Sequence, residues 1–187
     1  MQPSSEQRIK MYEMIVTSRE FDDQVMAIYY ADKTPVFDLG AGRIPGEIHS
    51  SHGHEACGAG TIIQLTKDDA ITSSHRPHHH VVARGIDLKP FAAEIFGKAT
   101  GMSGGKGGHM HLYSPEHNFS SSGIIAEGMG PAAGMAMAFK MQGKPGVGVS
   151  FMGEAAANQG AFHEVMNLAS IYQLPYICVI EDNNWGV

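Results

Sequence analysis

The sequence predicts an α/β fold built on an open, mostly parallel sheet, and three stretches carry that prediction. Val147-Gly-Val-Ser-Phe151 has the pattern of a buried strand, Gln159 to Tyr172 that of a helix, and Tyr176-Ile-Cys-Val-Ile180, just past Pro175, is a near-continuous apolar run. A strand–helix–strand unit over 147–181 returns the chain to the same end of the sheet, so its two strands should be parallel.

The remaining elements follow in order. Ser4 and Gln7 have capping-box spacing, and Ile9, Tyr12, Ile15, Val16, Met26 and Tyr29 recur at helical intervals, which predicts a helix over 5–30. Pro35, Gly40, Gly42, Pro45 and Gly46 then make 31–50 a long loop that delivers His49. Small and apolar residues from His54 to Leu65 predict a second helix, and Asp69-Ala-Ile-Thr72 a short strand ending at Ser73-Ser-His-Arg76. Pro90 suits the first turn of a helix through Lys98, whereas residues 101–123 show no apolar periodicity and predict a long structureless loop, either functional or disordered. Gly130 to Lys140, rich in alanine and methionine, completes the helices.

Composition narrows the function. With 187 residues and 43% hydrophobic content, the default is a single domain with one sizeable core. A formal net charge of −6 with 13 Lys+Arg argues against a nucleic-acid binder. No stretch has the apolar length to cross a bilayer and the first residues lack a signal-peptide pattern, so the expectation is a cytoplasmic protein with no membrane contact. Cys57 and Cys178 are far apart and read as plain buried thiols. The unusual counts are 23 Gly and 11 His, which point to sharp turns and to many groups able to carry protons or bind metal.

Ligands of parallel sheets collect at the carboxyl ends of the strands. Glu154 and Asn183 each follow a predicted strand, and could offer a carboxylate and an amide oxygen to one hard cation of the magnesium kind. The turn Ala157-Asn158-Gln159-Gly160 opens the intervening helix, whose amino end favours a phosphate near that metal. By spacing alone, both residues could equally be ordinary turn residues.

The stretch GEAAANQGAFHEVMNLASIYQLPYICVIEDNNWG resembles the thiamine diphosphate motif, which begins Gly-Asp-Gly and ends about thirty residues later in Asn-Asn. Its surroundings are most similar to the alpha subunits of the decarboxylating component of 2-oxo acid dehydrogenase complexes. The resemblance extends through Arg19-Glu-Phe-Asp22, His49-Ser-Ser-His-Gly-His-Glu-Ala56, Ser74-His-Arg-Pro-His78 and Gly104-Gly-Lys-Gly-Gly-His-Met-His111, in that order. It implies the thiamine diphosphate-binding fold, an open, mostly parallel sheet with helices on both faces, with the C-terminal part of that fold missing. Two positions depart from the motif: Glu154 stands for its aspartate and Ala155 for its second glycine.

The resemblance also implies site residues. Glu154, Asn183 and the main chain of Trp185 would bind Mg2+; Arg76 with Ala155 and Ala156 would meet the diphosphate, and Gly123 and Ile125 would contact the aminopyrimidine through their backbones. His75 stands where a tyrosine is usual, leaving its contact with cofactor or substrate open. His111 resembles the histidine that orients substrate and transfers protons. His49 resembles one that enters the substrate pocket, or else hydrogen-bonds its loop to the sheet. His109 takes the place of a common serine and stays outside that set; His78 matches a family histidine, and His79 and His80 match none. Three adjacent histidines in a strand-like stretch would point to alternate faces and rarely close a zinc tetrahedron without further ligands.

The implied activity is thiamine diphosphate- and Mg2+-dependent oxidative decarboxylation of a small 2-oxo acid such as pyruvate, with acyl transfer to lipoamide. The implied partners are a beta subunit in an α2β2 heterotetramer and a lipoyl-bearing acyltransferase. Family alpha subunits continue past the Asn-Asn motif, so the chain reads as one incomplete domain, 1–187, inactive by itself. Acetoin dehydrogenase alpha subunit is the alternative, as is a truncated homologue that serves as an assembly partner.

Overall fold

The computed structural model describes residues 2–31, 33 and 38–186; Pro35 of the predicted loop and the last residue, Val187, lie outside them. The chain divides into two compact units, one formed by Met1–Gln64 and Arg76–Leu112, the other by Leu65–His75 and Tyr113–Val187.

The first unit is helical. α1 (Ser5–Ala31) begins at the predicted capping box: the Ser4 amide donates to Gln7 Oε1 at 2.9 Å, and the Gln7 amide to Ser4 Oγ at 3.1 Å. Its buried face is Ser18, Asp22, Val25 and Tyr29, while Ile9, Tyr12 and Val16, which announce the helix in the sequence, are exposed. α2 (Glu55–Ile62) and α3 (His78–Arg84) pack on α1 and on each other. Cys57, expected to be buried, lies on the exposed side of α2, because its small neighbours Gly58 and Ala59 take the inner side.

α3 corrects the strand-like reading of His78-His79-His80. Pro77 stands at its N-cap and Gly85 ends it in the left-handed region at φ 78°, so two breakers enclose one short helix. All three imidazoles are buried. α4 (Leu88–Ile95) carries Pro90 in its first turn as expected and ends at Ile95, short of Lys98; the Asp87 carboxylate caps it by accepting from the Lys89 amide at 2.9 Å.

The second unit holds a five-stranded sheet of order β2-β3-β1-β4-β5, from β1 (Ala70–Ser73), β2 (Tyr113–Ser114), β3 (Phe119–Ser121), β4 (Gly148–Gly153) and β5 (Tyr176–Glu181). All pairings are parallel except β2 with β3, which makes the sheet mostly parallel as predicted. β2 and β3 correct the reading of 101–123 as one structureless loop. They are too short to show periodicity, and a single helical turn at Pro115–His117 separates them.

α5 (Met129–Met141) lies on β1 and β4, and its first turn is held to the sheet where Thr72 Oγ1 donates to the Gly128 carbonyl at 2.7 Å. Ala132, Ala133 and Ala136 make its buried face; small residues there allow an approach so close that a side chain on Gly148 of β4 would strike the Ala132 carbonyl. α6 (Gly160–Ile171) is the predicted crossover between β4 and β5. β5 is an edge strand, with Ile177 and Ile180 exposed.

Candidate functional site

Four adjacent strands of the second unit, β3, β1, β4 and β5, run in the same direction, so their carboxyl ends share one edge of the sheet. Each end leads into residues that the sequence singles out. Gly123 and Ile125 follow β3, His75 follows β1, Glu154, Ala155 and Ala156 follow β4, and Asn183 and Trp185 follow β5. Residues scattered over more than a hundred positions thus come together at the edge where parallel sheets bind ligands.

The β4 and β5 ends are directly apposed. Gly153 pairs with Glu181 in register, placing Glu154 and Asp182 at the same level. An ideal Cβ built on Gly186 would lie 2.6 Å from the Ala155 Cβ, so the two loops touch and only a glycine fits at 186. The methyl that distinguishes Ala155 from the motif's glycine faces that vacant side of Gly186.

The donors there suit a hard divalent cation. Glu154 is half-buried, and among the described residues no hydrogen bond or ion pair engages its carboxylate; Asn183 is exposed and its Oδ1 accepts the Trp185 amide at 2.9 Å. That bond leaves the amide oxygen a second lone pair. Residues 153–158 and 181–186 contain neither cysteine nor histidine, so the set is all oxygen, as magnesium prefers. The indole of Trp185 is exposed, consistent with a role for its main chain alone. The N-cap of α6 is Gln159, whose side chain makes no capping bond.

Beneath this edge Ala126, Met129, Met152 and Ala156 form a buried cluster, with Phe162, Val165, Tyr176 and Cys178 packed against it. Burial raises the Cys178 thiol above its ordinary range and the Tyr176 phenol likewise, which keeps both neutral. Ala126 is held at φ 62°, an uncommon conformation for a residue with a side chain, in the turn that carries Ile125.

In the first unit a second constellation forms around the loop that carries His49. The Asp22 carboxylate accepts the Ser51 amide at 2.6 Å and also binds His78 Nδ1, both side chains being fully buried. Glu55 accepts the Gly53 amide at 2.9 Å and the Arg19 guanidinium at 2.6 Å. Burial pushes the Glu55 carboxyl up, but those hydrogen bonds and the Arg19 charge outweigh it and leave it below its ordinary value. Arg76 donates to the Ser50 carbonyl at 2.8 Å, which orients its guanidinium.

His49 and His109 are in contact: the His49 amide donates to His109 Nε2 at 2.9 Å, and His49 Nδ1 lies 3.1 Å from the same nitrogen. Desolvation lowers the His49 pKa, aided by Arg76 and His78 and opposed by Glu47. His111 is exposed, and among the described residues its ring has no polar partner.

The loop bearing His109 and His111 is organised by a residue that the sequence reading passed over. Glu94 of α4 is fully buried and accepts three backbone amides, from Ser103 at 2.7 Å and Gly105 at 2.8 Å on Oε2 and from Gly107 at 2.6 Å on Oε1. Gly104 and Gly105, at φ 68° and 76°, give the backbone the curvature that aims those amides at one carboxylate. Asp22 was missed likewise as a brace; the visible signal for Glu94 is an acid shortly before a glycine-rich loop.

The model of the dehydrogenase E1 component family matches residues 24–187. The chain is 38% identical to the alpha subunit of acetoin:2,6-dichlorophenolindophenol oxidoreductase from Bacillus subtilis, over 98% of this chain and 52% of the relative. It is 35% identical to pyruvate dehydrogenase E1 component subunit alpha-3, chloroplastic, of Arabidopsis thaliana, over 98% of this chain and 42% of the relative. With the pyruvate dehydrogenase E1 component subunit alpha of Zymomonas mobilis the identity is 35%, over 97% of this chain and 49% of the relative. The chain thus spans about half the length of the curated relatives it matches. Among the described residues no helix is long and apolar enough to cross a membrane. With the family model covering most of the sequence and the motif residues gathered at one sheet edge, the chain belongs to the dehydrogenase E1 component family.

Proposed function

We propose that the chain supplies the metal and diphosphate end of a thiamine diphosphate-dependent 2-oxo acid dehydrogenase, acting as the alpha part with a beta partner. The observation that carries this reading is the apposition of Glu154 and Asn183 loops at the ends of two paired parallel strands, beside the amino end of α6. Glu154 and Asn183 would hold Mg2+ with the Trp185 carbonyl, and Arg76 would neutralise the diphosphate. The backbones around Gly123 and Ile125 would seat the aminopyrimidine, with Ala155 and Ala156 along the diphosphate and His75 beside cofactor or substrate.

When bound, thiamine diphosphate supplies the nucleophilic carbon and the electron sink for loss of carbon dioxide. The chain's own part is anchoring, charge neutralisation and proton management by His49 and His111. The acceptor would be lipoamide on a partner acyltransferase, in an α2β2 assembly. The substrate would be pyruvate or a related 2-oxo acid. Acetoin is the second reading, favoured by the 38% identity to the Bacillus subtilis subunit, which is named for that compound.

Calorimetric titration of thiamine diphosphate into the chain with its beta partner, with Mg2+ and with excess chelator, tests the metal role. Glu154→Ala should weaken binding tenfold or more, roughly the loss of one strong ligand interaction, in Mg2+ alone. An equal loss in chelator would remove Glu154 from the metal site.

A further inference from the structure

The His49–His109 contact fixes the position of protons. A peptide N–H can only donate, so His109 Nε2, which receives the His49 amide at 2.9 Å, is unprotonated and the ring carries its hydrogen on Nδ1. His49 Nδ1 stands 3.1 Å from that same nitrogen. Two lone pairs facing each other at that distance would repel, so His49 Nδ1 carries a hydrogen and donates it.

We infer that His109 is a positioning residue that locks His49 in its Nδ1–H tautomer, leaving His49 Nε2 as the atom through which the pair takes up and returns a proton during turnover. This rests on the functional reading above. His109 is only 5% exposed, so water does not readily replace it as acceptor. Protonating His109 on Nε2 would set that N–H against two N–H groups of His49. The pair therefore holds one added proton, on His49, whose imidazolium keeps its Nδ1–H bond to neutral His109. In the step itself a ligand O–H bond breaks and the His49 Nε2–H bond forms; its reversal returns the proton to the product. The charged groups acting on His49 are Glu47, which favours that proton, and Arg76 and His78, which oppose it together with burial.

The test is magic-angle-spinning 15N spectroscopy of the histidine rings in the complex with the beta partner, His49 being assigned by His49→Gln. The pH profile of kcat/KM and the calorimetric affinity for thiamine diphosphate are measured on the same samples. Wild type and His109→Gln, whose amide oxygen can accept the same two donors, should show His49 as Nδ1–H with a similar profile. His109→Leu should convert His49 to the Nε2–H form, move the acidic limb to lower pH because the imidazolium loses its acceptor and gains an apolar neighbour, and lower kcat/KM by roughly ten- to a hundredfold with cofactor affinity unchanged. An Nε2–H His49 in wild type, or a leucine variant with wild-type tautomer and profile, overturns the inference. Absence of Mg2+-dependent cofactor binding in wild type would instead overturn the functional reading, while the ring spectra judge the tautomer lock independently.

Discussion

Replacing Glu94 by glutamine changes one atom and should dismantle the loop that presents His109 and His111. The carboxylate is fully buried and meets three amides, two on Oε2 and one on Oε1. In its best rotamer the glutamine oxygen takes the Oε2 place and keeps Ser103 and Gly105, but its NH2 then faces the Gly107 N–H. One charge-assisted bond is lost, costing about 1.5–3 kcal/mol, and two fall to neutral strength, costing about 1 kcal/mol together. The expected loss is about 3 kcal/mol, which at a typical urea m-value lowers the midpoint by roughly 1.5 M. Where that loss is local, exchange of the Ser103, Gly105 and Gly107 amides should accelerate by roughly a hundredfold. Urea titration with residue-resolved hydrogen exchange measures both. A midpoint shift under roughly 0.3 M, with those three amides protected as in wild type, would refute the view that Glu94 organises the loop.

Two further outcomes are expected. Gly186→Ala would force the strand-end loops apart, since its Cβ would come within 2.6 Å of the Ala155 Cβ; Mg2+-dependent cofactor binding should fall and the added change Ala155→Gly should restore it, which calorimetry can follow. Because the folded-state pKa of Glu55 lies below its ordinary 4.5, its contribution is present above that value and is lost as pH falls through the lowered one. Arg19→Ala should therefore shift the acid-unfolding midpoint upward, read by circular dichroism, and an unchanged midpoint would mean that the guanidinium does not support the Glu55 charge.

The elements legible in the sequence are those whose signals are local. Ser4 and Gln7 announce α1 because a capping box is complete within four residues, and β4, α6 and β5 announce themselves by apolar runs broken at Pro175. The short strand β1 was legible too, but α3 reads as extended because its histidines and valines have no strong helix propensity, and tertiary packing on α1 and α2 decides the matter. Of the candidate site, strand spacing singles out Glu154 and Asn183 without separating them from ordinary turn residues, while Arg76, Gly123, Ile125, His75 and the histidines needed the family resemblance. Glu94 was passed over for a different reason: its partners are main-chain amides, which leave little trace in residue identity beyond the glycines that bend the loop.

The four-residue β1, buried along its whole length at the centre of the sheet, sets a problem of timing for the nascent chain. Its neighbour β3 is far along the sequence, and the pairing of Asp69 with the start of the β4 segment at Val147 closes a separation of 78 residues. At ordinary synthesis speeds β4 leaves the ribosome roughly 4–16 s after β1. Ala70 lacks its β4 neighbour for that whole interval, and Ile71 lacks both of its neighbours until β3 has been made. The sheet must then assemble late, around its short central strand, which places the chain among slow, non-local folders. Substitutions that speed or slow translation between 73 and 147 should accordingly change the yield of folded protein without changing its stability.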